Sequence, residues 1–178
     1  YAGAHGEAND LENVIKASKH LRSYPIEIIL IGDGINKKKL INLAVNCPNV
    51  KFKDPLPKSS MPTFLSKGDS ILVSLKDVPL FKYGVSPNKL YDAYAIGRPV
   101  IVTVSGHIKE EVEKYNLGVF ASPGKPRELA QQIINLYNKS FSERKIMGRN
   151  GRKIAEKIYS RKNINIKFKK IIDAISIK

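Results

Sequence analysis

Short apolar segments alternate along this chain with segments of helical periodicity, and this alternation constrains the fold more than any other feature. Residues 26–31, 69–75 and 99–102 are largely apolar and rich in isoleucine, leucine and valine. Runs of this kind, without the polar alternation of a half-exposed strand, are typical of strands buried on both faces. Residues 50–52 and 118–120 predict two further short strands.

Helical spacing of apolar residues fills the intervals between these strands. The predicted helices span residues 11–22, 37–45, a short segment through 64–65, 87–97, 107–115 and 126–137. Asn9 or Asp10 can cap the first of them, and we expect residues 76–86 to form a loop. Strands that alternate with helices at this interval indicate βαβ units, so we predict an α/β fold with a doubly wound, Rossmann-like parallel sheet. Ligands of such a sheet bind at the carboxyl ends of its strands.

The two ends of the chain differ from this repeat. Ser140 and Glu143 form a candidate capping box for a helix toward Tyr159, with no strand behind it. A second helix follows, with an apolar stripe of Ile164, Phe168, Ile171, Ile172 and Ile175. We therefore divide the chain into an α/β part, residues 1–138, and C-terminal helices, residues 139–178, that pack on it within one structural domain. The chain starts abruptly, at what reads as a strand end, and we expect it to be a fragment of a longer protein.

The net charge is the unusual number in an otherwise ordinary composition. Of 178 residues, 31 are Lys or Arg and 16 are Asp or Glu, which gives +15. A basic protein of this size indicates an anionic partner: nucleic acid, a membrane surface or a phosphorylated ligand. Abundant Lys, Ile and Asn also fit biased coding, and solvated lysines then have no specific partner. From Lys139 to Lys178 there are 13 basic and 3 acidic residues, so most of the excess lies in the C-terminal segment.

Several classes of protein are excluded by what the sequence lacks. No apolar run approaches the ~18 residues of a membrane span, and none resembles a signal-peptide core. A single cysteine, Cys47, rules out internal disulfides and a cysteine-based zinc site. The three histidines are not at metal-ligand spacing. There is no Asp-x-Asp and no Gly-x-Ser-x-Gly, so nothing marks a divalent-metal site for a diphosphate or a hydrolase nucleophile.

The first candidate site is Gly3-Ala4-His5-Gly6, which follows the opening strand Tyr1-Ala2-Gly3 and precedes a helix. Small residues there let backbone N–H groups approach a phosphate, and the helix dipole favours negative charge. His5 can donate a hydrogen bond to a phosphate or sugar, or serve only in capping and packing. The loop has neither a G-x-G-x-x-G nor a P-loop fingerprint, so by itself it indicates only an ordinary turn.

The second candidate site is the segment Gly84–Asp92. Gly and Ser residues precede a helix whose first turn carries Lys89, and both the ammonium and the free N–H groups suit a diphosphate. Asp92 lies one turn further, where a carboxylate can accept hydrogen bonds from two ribose hydroxyls. The alternative is a surface Lys–Asp pair without a ligand. A third group, Gly32-Asp33-Gly34 with Leu56-Pro57-Lys58, can wall a base pocket or form generic turns.

Taken in order, these segments resemble the C-terminal, donor-nucleotide domain of a family 4 retaining glycosyltransferase with the GT-B fold, of the type that builds bacterial surface polysaccharides. The most specific match is residues 86–100, Ser-Pro-Asn-Lys-Leu-Tyr-Asp-Ala-Tyr-Ala-Ile-Gly-Arg-Pro-Val. The resemblance implies two catalytic residues, His5 and Lys89. It also implies that the donor is bound by Gly3, Gly6, Leu56, Pro57, Lys58, Gly84, Val85, Ser86, Asn88, Lys89 and Asp92.

Within that resemblance, Lys89, Ser86 and Asn88 would bind the diphosphate, Asp92 the ribose, and residues 56–58 the base. Two departures stand out. The acidic pair of the family falls at Gly84 and Asp92, so the first acid is lost. The basic residues that the family places in its first loop fall at Ala4 and Asn9.

The implied reaction is transfer of a sugar from a nucleotide donor, most simply a UDP-sugar, to a lipid-linked or saccharide acceptor in polysaccharide or lipopolysaccharide (O-antigen) biosynthesis. No cofactor or metal is implied, since helix dipole and Lys89 would offset the charge of the leaving diphosphate. The acceptor site would belong to an N-terminal domain absent here, so we expect these residues alone to be inactive. A cytoplasmic location is implied, with the basic C-terminal segment against anionic lipid of the inner membrane face or solvated without a partner.

Two other functions stay open at this point. A nicotinamide-dependent (NAD) Rossmann oxidoreductase fits the fold, but the glycine-rich fingerprint and the acidic residue after the second strand are missing. A basic nucleic-acid module fits the charge, but the sequence has neither recognition-motif strands nor a helix-turn-helix pattern. We therefore expect no nucleic-acid partner.

Overall fold

The computed structural model describes residues 1–176; Ile177 and Lys178, which the predicted C-terminal helical segment includes, lie outside the described residues. The strands are β1 (Ile28–Ile31), β2 (Val50–Lys53), β3 (Ile71–Val73), β4 (Val100–Val102) and β5 (Gly118–Phe120). The helices are α1 (Leu11–Ser18), α2 (Lys37–Leu43), α3 (Met61–Leu65), α4 (Pro79–Tyr83), α5 (Asn88–Ala95), α6 (His107–Lys114), α7 (Pro126–Tyr137), α8 (Phe141–Lys157) and α9 (Arg161–Ser176).

All the strand pairs are parallel. β1 pairs with β2, and Ala2 forms a parallel bridge to Ile31 on the other side of β1. β3, β4 and β5 pair in that order, with Ile71 opposite Val100 and Val100 opposite Gly118. Each parallel connection needs a crossover, which the helices between the strands provide. The predicted α/β, Rossmann-like fold with parallel strands is therefore confirmed, although the described strands form a two-stranded and a three-stranded sheet instead of the one sheet predicted.

Two hydrophobic clusters hold the helices against the strands. The first contains Leu11 and Ile15 of α1 with Leu129 and Ile133 of α7 and Leu30 of β1. The second joins the side chains of β3 and β4 to Leu90 and Tyr94 of α5, Ile108 of α6 and Ile154 of α8. Apolar side chains on both faces of the strands explain why the strand segments lack polar alternation.

α8 packs directly on the α/β part. The capping box is present: the Glu143 N–H donates to Ser140 Oγ at 3.2 Å, and the Ser140 N–H donates to Glu143 Oε2 at 2.8 Å. Gly148 lies against Gly97 at the end of α5, so closely that a Cβ on Gly148 would be 1.9 Å from the Gly97 carbonyl oxygen. Only glycine permits this approach of the two backbones.

α9 is different, because much of its apolar stripe faces outward. Ile164, Phe168, Ile171 and Ile175 are 47 to 66% exposed. Among the described residues, neither hydrophobic cluster includes these four side chains. Packing of the C-terminal helices is thus seen for α8, whereas for α9 it stays a prediction.

One segment differs from expectation. Residues 76–86, predicted as a loop, contain the five-residue helix α4. Pro79 stands in its first turn, where a proline has no N–H to leave unpaired. A helix of five residues is too short to show a 3.6-residue period, which is why the apolar pattern did not reveal it.

Candidate functional site

The loop Gly3–Gly6, here called the first loop, is bonded to the turn Gly32–Gly34, here called the glycine turn. The Gly3 N–H donates to Ile31 O at 2.9 Å, and the His5 N–H donates to Asp33 O at 2.8 Å. A Cβ on Gly32 would be 1.9 Å from Gly3 O, and one on Gly34 would be 2.8 Å from His5 C. Because neither glycine has a Cβ, the glycine turn can lie this close to the first loop and form hydrogen bonds with it.

The side chain of Lys89, on α5, extends to the first loop, where its Nζ would lie 3.4 Å from a Cβ on Gly3. Its Nζ donates to Tyr1 Oη at 2.9 Å and to Asn9 Oδ1 at 2.8 Å. The Tyr1 hydroxyl in turn donates to Ala4 O at 2.7 Å. Two of the predicted candidate segments are thus joined in one site. Tyr1 and Asn9 were not predicted as site residues. No local sequence signal distinguishes Tyr1, whereas Asn9 stands at a position where the family resemblance places a basic residue of the first loop.

The ammonium of Lys89 is the principal charge at this site. Burial lowers the pKa of Lys89 to about 8, and its Nζ also lies 4.3 Å from the centroid of the Tyr1 ring. Both hydrogen-bond acceptors are uncharged oxygens. A partly buried cation held by neutral groups is stabilised by any anion that binds beside it. The arrangement is therefore suited to a phosphate group.

The N-terminus of α5 adds further donors. Pro87 is the N-cap residue and provides no side-chain cap. The first backbone N–H groups of a helix have no intrahelical acceptor. Ser86 and Asn88 are exposed beside this end, and the Ser86 Oγ lies 2.8 Å from Tyr91 Oη. The helix end and the Lys89 ammonium therefore both favour an anion at this position.

Asp92 lies one turn beyond Asn88 on α5, and its carboxylate is exposed. Partial burial raises the pKa of Asp92 above its ordinary value, and the carboxylate stays available as an acceptor of hydrogen bonds. Asn88 and Asp92 are four residues apart and so share one face of the helix. The ribose role of Asp92 stays a prediction that this placement permits.

Gly84 and Val85 lie between α4 and α5. Gly84 is exposed, its backbone is extended, and a Cβ placed on it would meet no atom within 4 Å. Val85 is half-buried against the second hydrophobic cluster. The position of the missing acid is thus open space, and a side chain there would not collide with the described residues.

His5 is placed differently from the expectation of a donor-facing side chain. Its side chain is fully buried, 6.0 Å from the Phe52 ring and 6.2 Å from the Tyr1 ring between centroids. Neither ring nitrogen has a hydrogen-bond partner among the described residues. Burial is the largest cause that lowers the pKa of His5, and the positive charge of Lys37 is the second. The imidazole is therefore neutral at pH 7. Its catalytic role stays a prediction, whereas its backbone connects the first loop to the glycine turn.

Leu56, Pro57 and Lys58 follow β2. The Pro57 carbonyl accepts from the Ser60 N–H at 3.0 Å, and the Lys58 carbonyl accepts from the Met61 N–H at 3.3 Å, so the segment forms a turn into α3. Leu56 is half-buried, while Pro57 and Lys58 are exposed. These contacts run toward α3, and the base-binding role of the segment stays a prediction.

Comparison with known proteins shows which family the chain belongs to. The sequence profile of the family described as "Glycosyl transferases group 1" matches residues 1–139. A curated relative, the putative colanic acid biosynthesis glycosyl transferase WcaI of Escherichia coli (strain K12), is 31% identical over 109 residues. That match covers 60% of this chain and 26% of the relative. The chain therefore belongs to the group 1 glycosyltransferases.

Solved structures agree on the fold. The crystal structure of Anabaena Alr3699/HepE in complex with UDP-glucose superposes with a TM-score of 0.80 at 20% identity, over 97% of this chain and 47% of that one. The C-terminal domain of LpcC from Francisella tularensis, a glycosyl transferase group 1 family protein, gives 0.72 at 19% identity, over 89% of this chain and 84% of that one. The chain thus has the Rossmann-like fold of GT-B enzymes and spans about half the length of the HepE chain and a quarter of WcaI.

Proposed function

We propose that this chain is the donor-binding part of a retaining, family 4 glycosyltransferase that transfers a sugar from a UDP-sugar to a saccharide or lipid-linked acceptor in polysaccharide biosynthesis. Family membership supports the reaction class. The UDP-glucose bound by HepE and the assignment of WcaI to colanic acid biosynthesis support the donor and the pathway class. The observation that carries the proposal is Lys89, whose partly buried ammonium donates to two uncharged oxygens beside the first loop.

The diphosphate would lie between the first loop and the start of α5. Lys89, the Ser86 hydroxyl, the Asn88 side chain and the N–H groups of the α5 first turn would stabilise it, with Gly3 and Gly6 allowing a close approach. Negative charge builds on the leaving diphosphate in the transition state, so donors already in place there lower the barrier. The sequence has no Asp-x-Asp, and in this proposal Lys89 and the helix end act in place of a metal.

The nucleoside would extend from the diphosphate along α5. Asp92 would accept hydrogen bonds from the two ribose hydroxyls, and Leu56, Pro57 and Lys58 would contact the base. His5 would act through the first loop on the diphosphate and sugar. Gly84 and Val85 would border the sugar, where the open space at Gly84 replaces an acidic side chain.

Nucleotide selectivity tests the proposal directly. Residues 1–178 are titrated calorimetrically with UDP, GDP, ADP and NAD at equal concentrations. We expect UDP to bind most tightly. Binding of NADH without binding of UDP would instead support the oxidoreductase, and salt-sensitive binding of random duplex DNA with indifference to UDP would support the nucleic-acid module.

Transfer itself is proposed to need more than this chain. The solved HepE chain is about twice as long, and the acceptor would bind outside the part that matches. We expect no turnover of UDP-glucose by residues 1–178 with saccharide acceptors, and measurable turnover would contradict this division of roles.

The C-terminal segment supports a second partner, an anionic lipid surface on the cytoplasmic side of the membrane. α9 presents the exposed apolar side chains Ile164, Phe168, Ile171 and Ile175 and carries five basic residues against one acidic residue. An amphipathic helix with basic flanks binds at the interface of anionic membranes. In residues 1–176 no helix combines the length and apolarity needed to cross a membrane.

Vesicle flotation tests this second partner. We expect residues 1–178 to float with vesicles that contain phosphatidylglycerol and to stay unbound with pure phosphatidylcholine. Phe168→Ser should reduce flotation, whereas Ile35→Ser, a control at an even more exposed apolar side chain on another part of the chain, should not. Flotation that is independent of anionic lipid, or no flotation at all, would show that the basic residues of the C-terminal segment do not bind anionic lipid.

A further inference from the structure

Three tyrosines and one glutamate form a connected cluster near the N-terminal half of α5: Tyr91, Tyr94, Tyr159 and Glu111. Tyr94 of α5 donates from its hydroxyl to Glu111 of α6 at 3.1 Å. Tyr159, in the short connection between α8 and α9, donates to the other oxygen of the same carboxylate. Because Glu111 accepts both bonds, the Tyr159 ring is held in one place between three helices.

Tyr91 is fixed by the rings of this cluster. Its ring centroid lies 4.6 Å from that of Tyr159 and 6.5 Å from that of Tyr94, the second pair in a T-shaped arrangement. Both centroid distances lie within the range in which aromatic pairs attract one another. Tyr91 is half-buried, so its ring has little freedom to leave this position.

The Tyr91 hydroxyl does not join the bonds to Glu111 but meets Ser86 instead. Its oxygen lies 2.8 Å from Ser86 Oγ, and either atom can be the donor. If Tyr91 donates, the Ser86 hydroxyl keeps its own hydrogen for a third group. A hydroxyl that accepts one hydrogen bond donates the next one more strongly, and an anion beside Ser86 would select this direction.

We infer that Tyr91 is a positioning residue that aims the Ser86 hydroxyl at the donor diphosphate, and that Tyr159 holds Tyr91 in place. The inference rests on the proposed function, since Ser86 is there a diphosphate ligand. It also means that Tyr159, in the connection between α8 and α9, influences the position of the Ser86 side chain through Tyr91. The loop residue Ser86 is exposed, and the hydrogen bond to Tyr91 restrains its side chain.

A double-mutant cycle tests the inference. Tyr91→Phe keeps the ring against Tyr159 and removes only the hydroxyl. We expect Tyr91→Phe and Ser86→Ala each to weaken UDP binding by about 3- to 10-fold, the loss of one hydrogen bond to a charged group or its support. The double variant should be no weaker than Ser86→Ala alone. Tyr83→Phe, on an exposed tyrosine of α4, is the matched control and should bind UDP like the unaltered chain.

The role of Tyr159 is tested in the same way. Tyr159→Leu removes the ring that contacts Tyr91, and we expect it to weaken UDP binding when Ser86 is present but not in the Ser86→Ala background. Equal weakening in both backgrounds, with a lower melting temperature, would show a structural role alone and would overturn this part of the inference.

A readout without ligand separates this inference from the proposed function. The NMR chemical shifts of the Ser86 side chain and of the Asn88 and Lys89 amides should move in Tyr91→Phe but not in Tyr83→Phe. Unchanged shifts would overturn the positioning role even if UDP binds. Absence of UDP binding to the unaltered chain would instead overturn the proposed function, and the inference with it.

Discussion

The Nζ atom of Lys89 lies 2.9 Å from the hydroxyl oxygen of Tyr1, although 88 residues separate the two in sequence. This contact connects the first loop to the helix that carries the most specific part of the sequence. It places a partly buried positive charge under a loop of small residues, next to the unpaired N–H groups of a helix end. The proposed binding of a nucleotide diphosphate depends on this one relationship.

Binding of UDP should depend on the charge of Lys89 and therefore on pH. Burial lowers the pKa of Lys89 to about 8, so the free protein loses this charge as the pH rises above that value. The diphosphate binds best to the charged amine. We expect UDP affinity to be nearly constant from about pH 7, where the terminal phosphate has lost its second proton, up to the pKa of Lys89. Above that pKa it should fall by up to about tenfold per pH unit, until the pKa of the bound form is reached. Calorimetric titration across this range measures it.

The control for this pH dependence is Lys89→Met, which has no group to titrate at that position. Its affinity for UDP should be lower at every pH and should not fall over the same range. The same fall in both proteins would assign the titration to another group.

Asp92 should discriminate between ribose and deoxyribose. If its carboxylate accepts from both ribose hydroxyls, Asp92→Ala should lose about 10- to 150-fold in affinity for UDP, which corresponds to the roughly 1.5 to 3 kcal/mol of hydrogen bonding to a charged group. The unaltered chain should prefer UDP over 2′-deoxy-UDP, and Asp92→Ala should bind the two alike. A preference for UDP that survives the substitution would remove Asp92 from the ribose role.

Two glycines that look alike in the sequence should respond very differently to alanine. Gly148→Ala would force a Cβ to within 1.9 Å of the Gly97 carbonyl oxygen, so α8 must move away from α5. We expect a loss of stability of about 1 to 3 kcal/mol or more, as for other overpacked contacts.

Gly84→Ala is the matched comparison, because a Cβ there meets nothing within 4 Å and the backbone is extended. It should keep the stability of the unaltered chain within about 0.5 kcal/mol. Urea unfolding followed by circular dichroism measures both variants. Equal stabilities would mean that α8 does not pack on α5 as described.

The strands and most helices could be predicted because each leaves a local trace. Buried strands such as residues 28–31 are apolar on both faces, and helices such as α7 repeat their apolar residues at the helical period. α4 was not predicted, since its five residues span little more than one helical turn and leave no apolar pattern that repeats. The direction in which the α9 stripe faces also leaves no trace, because periodicity defines a face and not what covers it.

The site was predictable only in part, for a similar reason. The rule that ligands bind at the carboxyl ends of parallel strands predicts that the first loop and the α5 N-terminus contribute to the site. The bonds from Lys89 to Tyr1 and Asn9 join distant parts of the chain, and no spacing within either segment encodes them. The buried position of the His5 ring likewise follows from packing against Phe52 of β2.

Substitution of Lys89 tests whether its ammonium binds the donor diphosphate. UDP is titrated calorimetrically into the unaltered chain, Lys89→Met and the exposed-lysine control Lys153→Met, at a pH of about 7. We predict that Lys89→Met weakens UDP binding by at least about tenfold, the cost of one charge-assisted hydrogen bond to phosphate, while its circular dichroism stays that of a folded chain. Lys153→Met should bind as the unaltered chain does. Equal affinities in all three proteins would contradict the account.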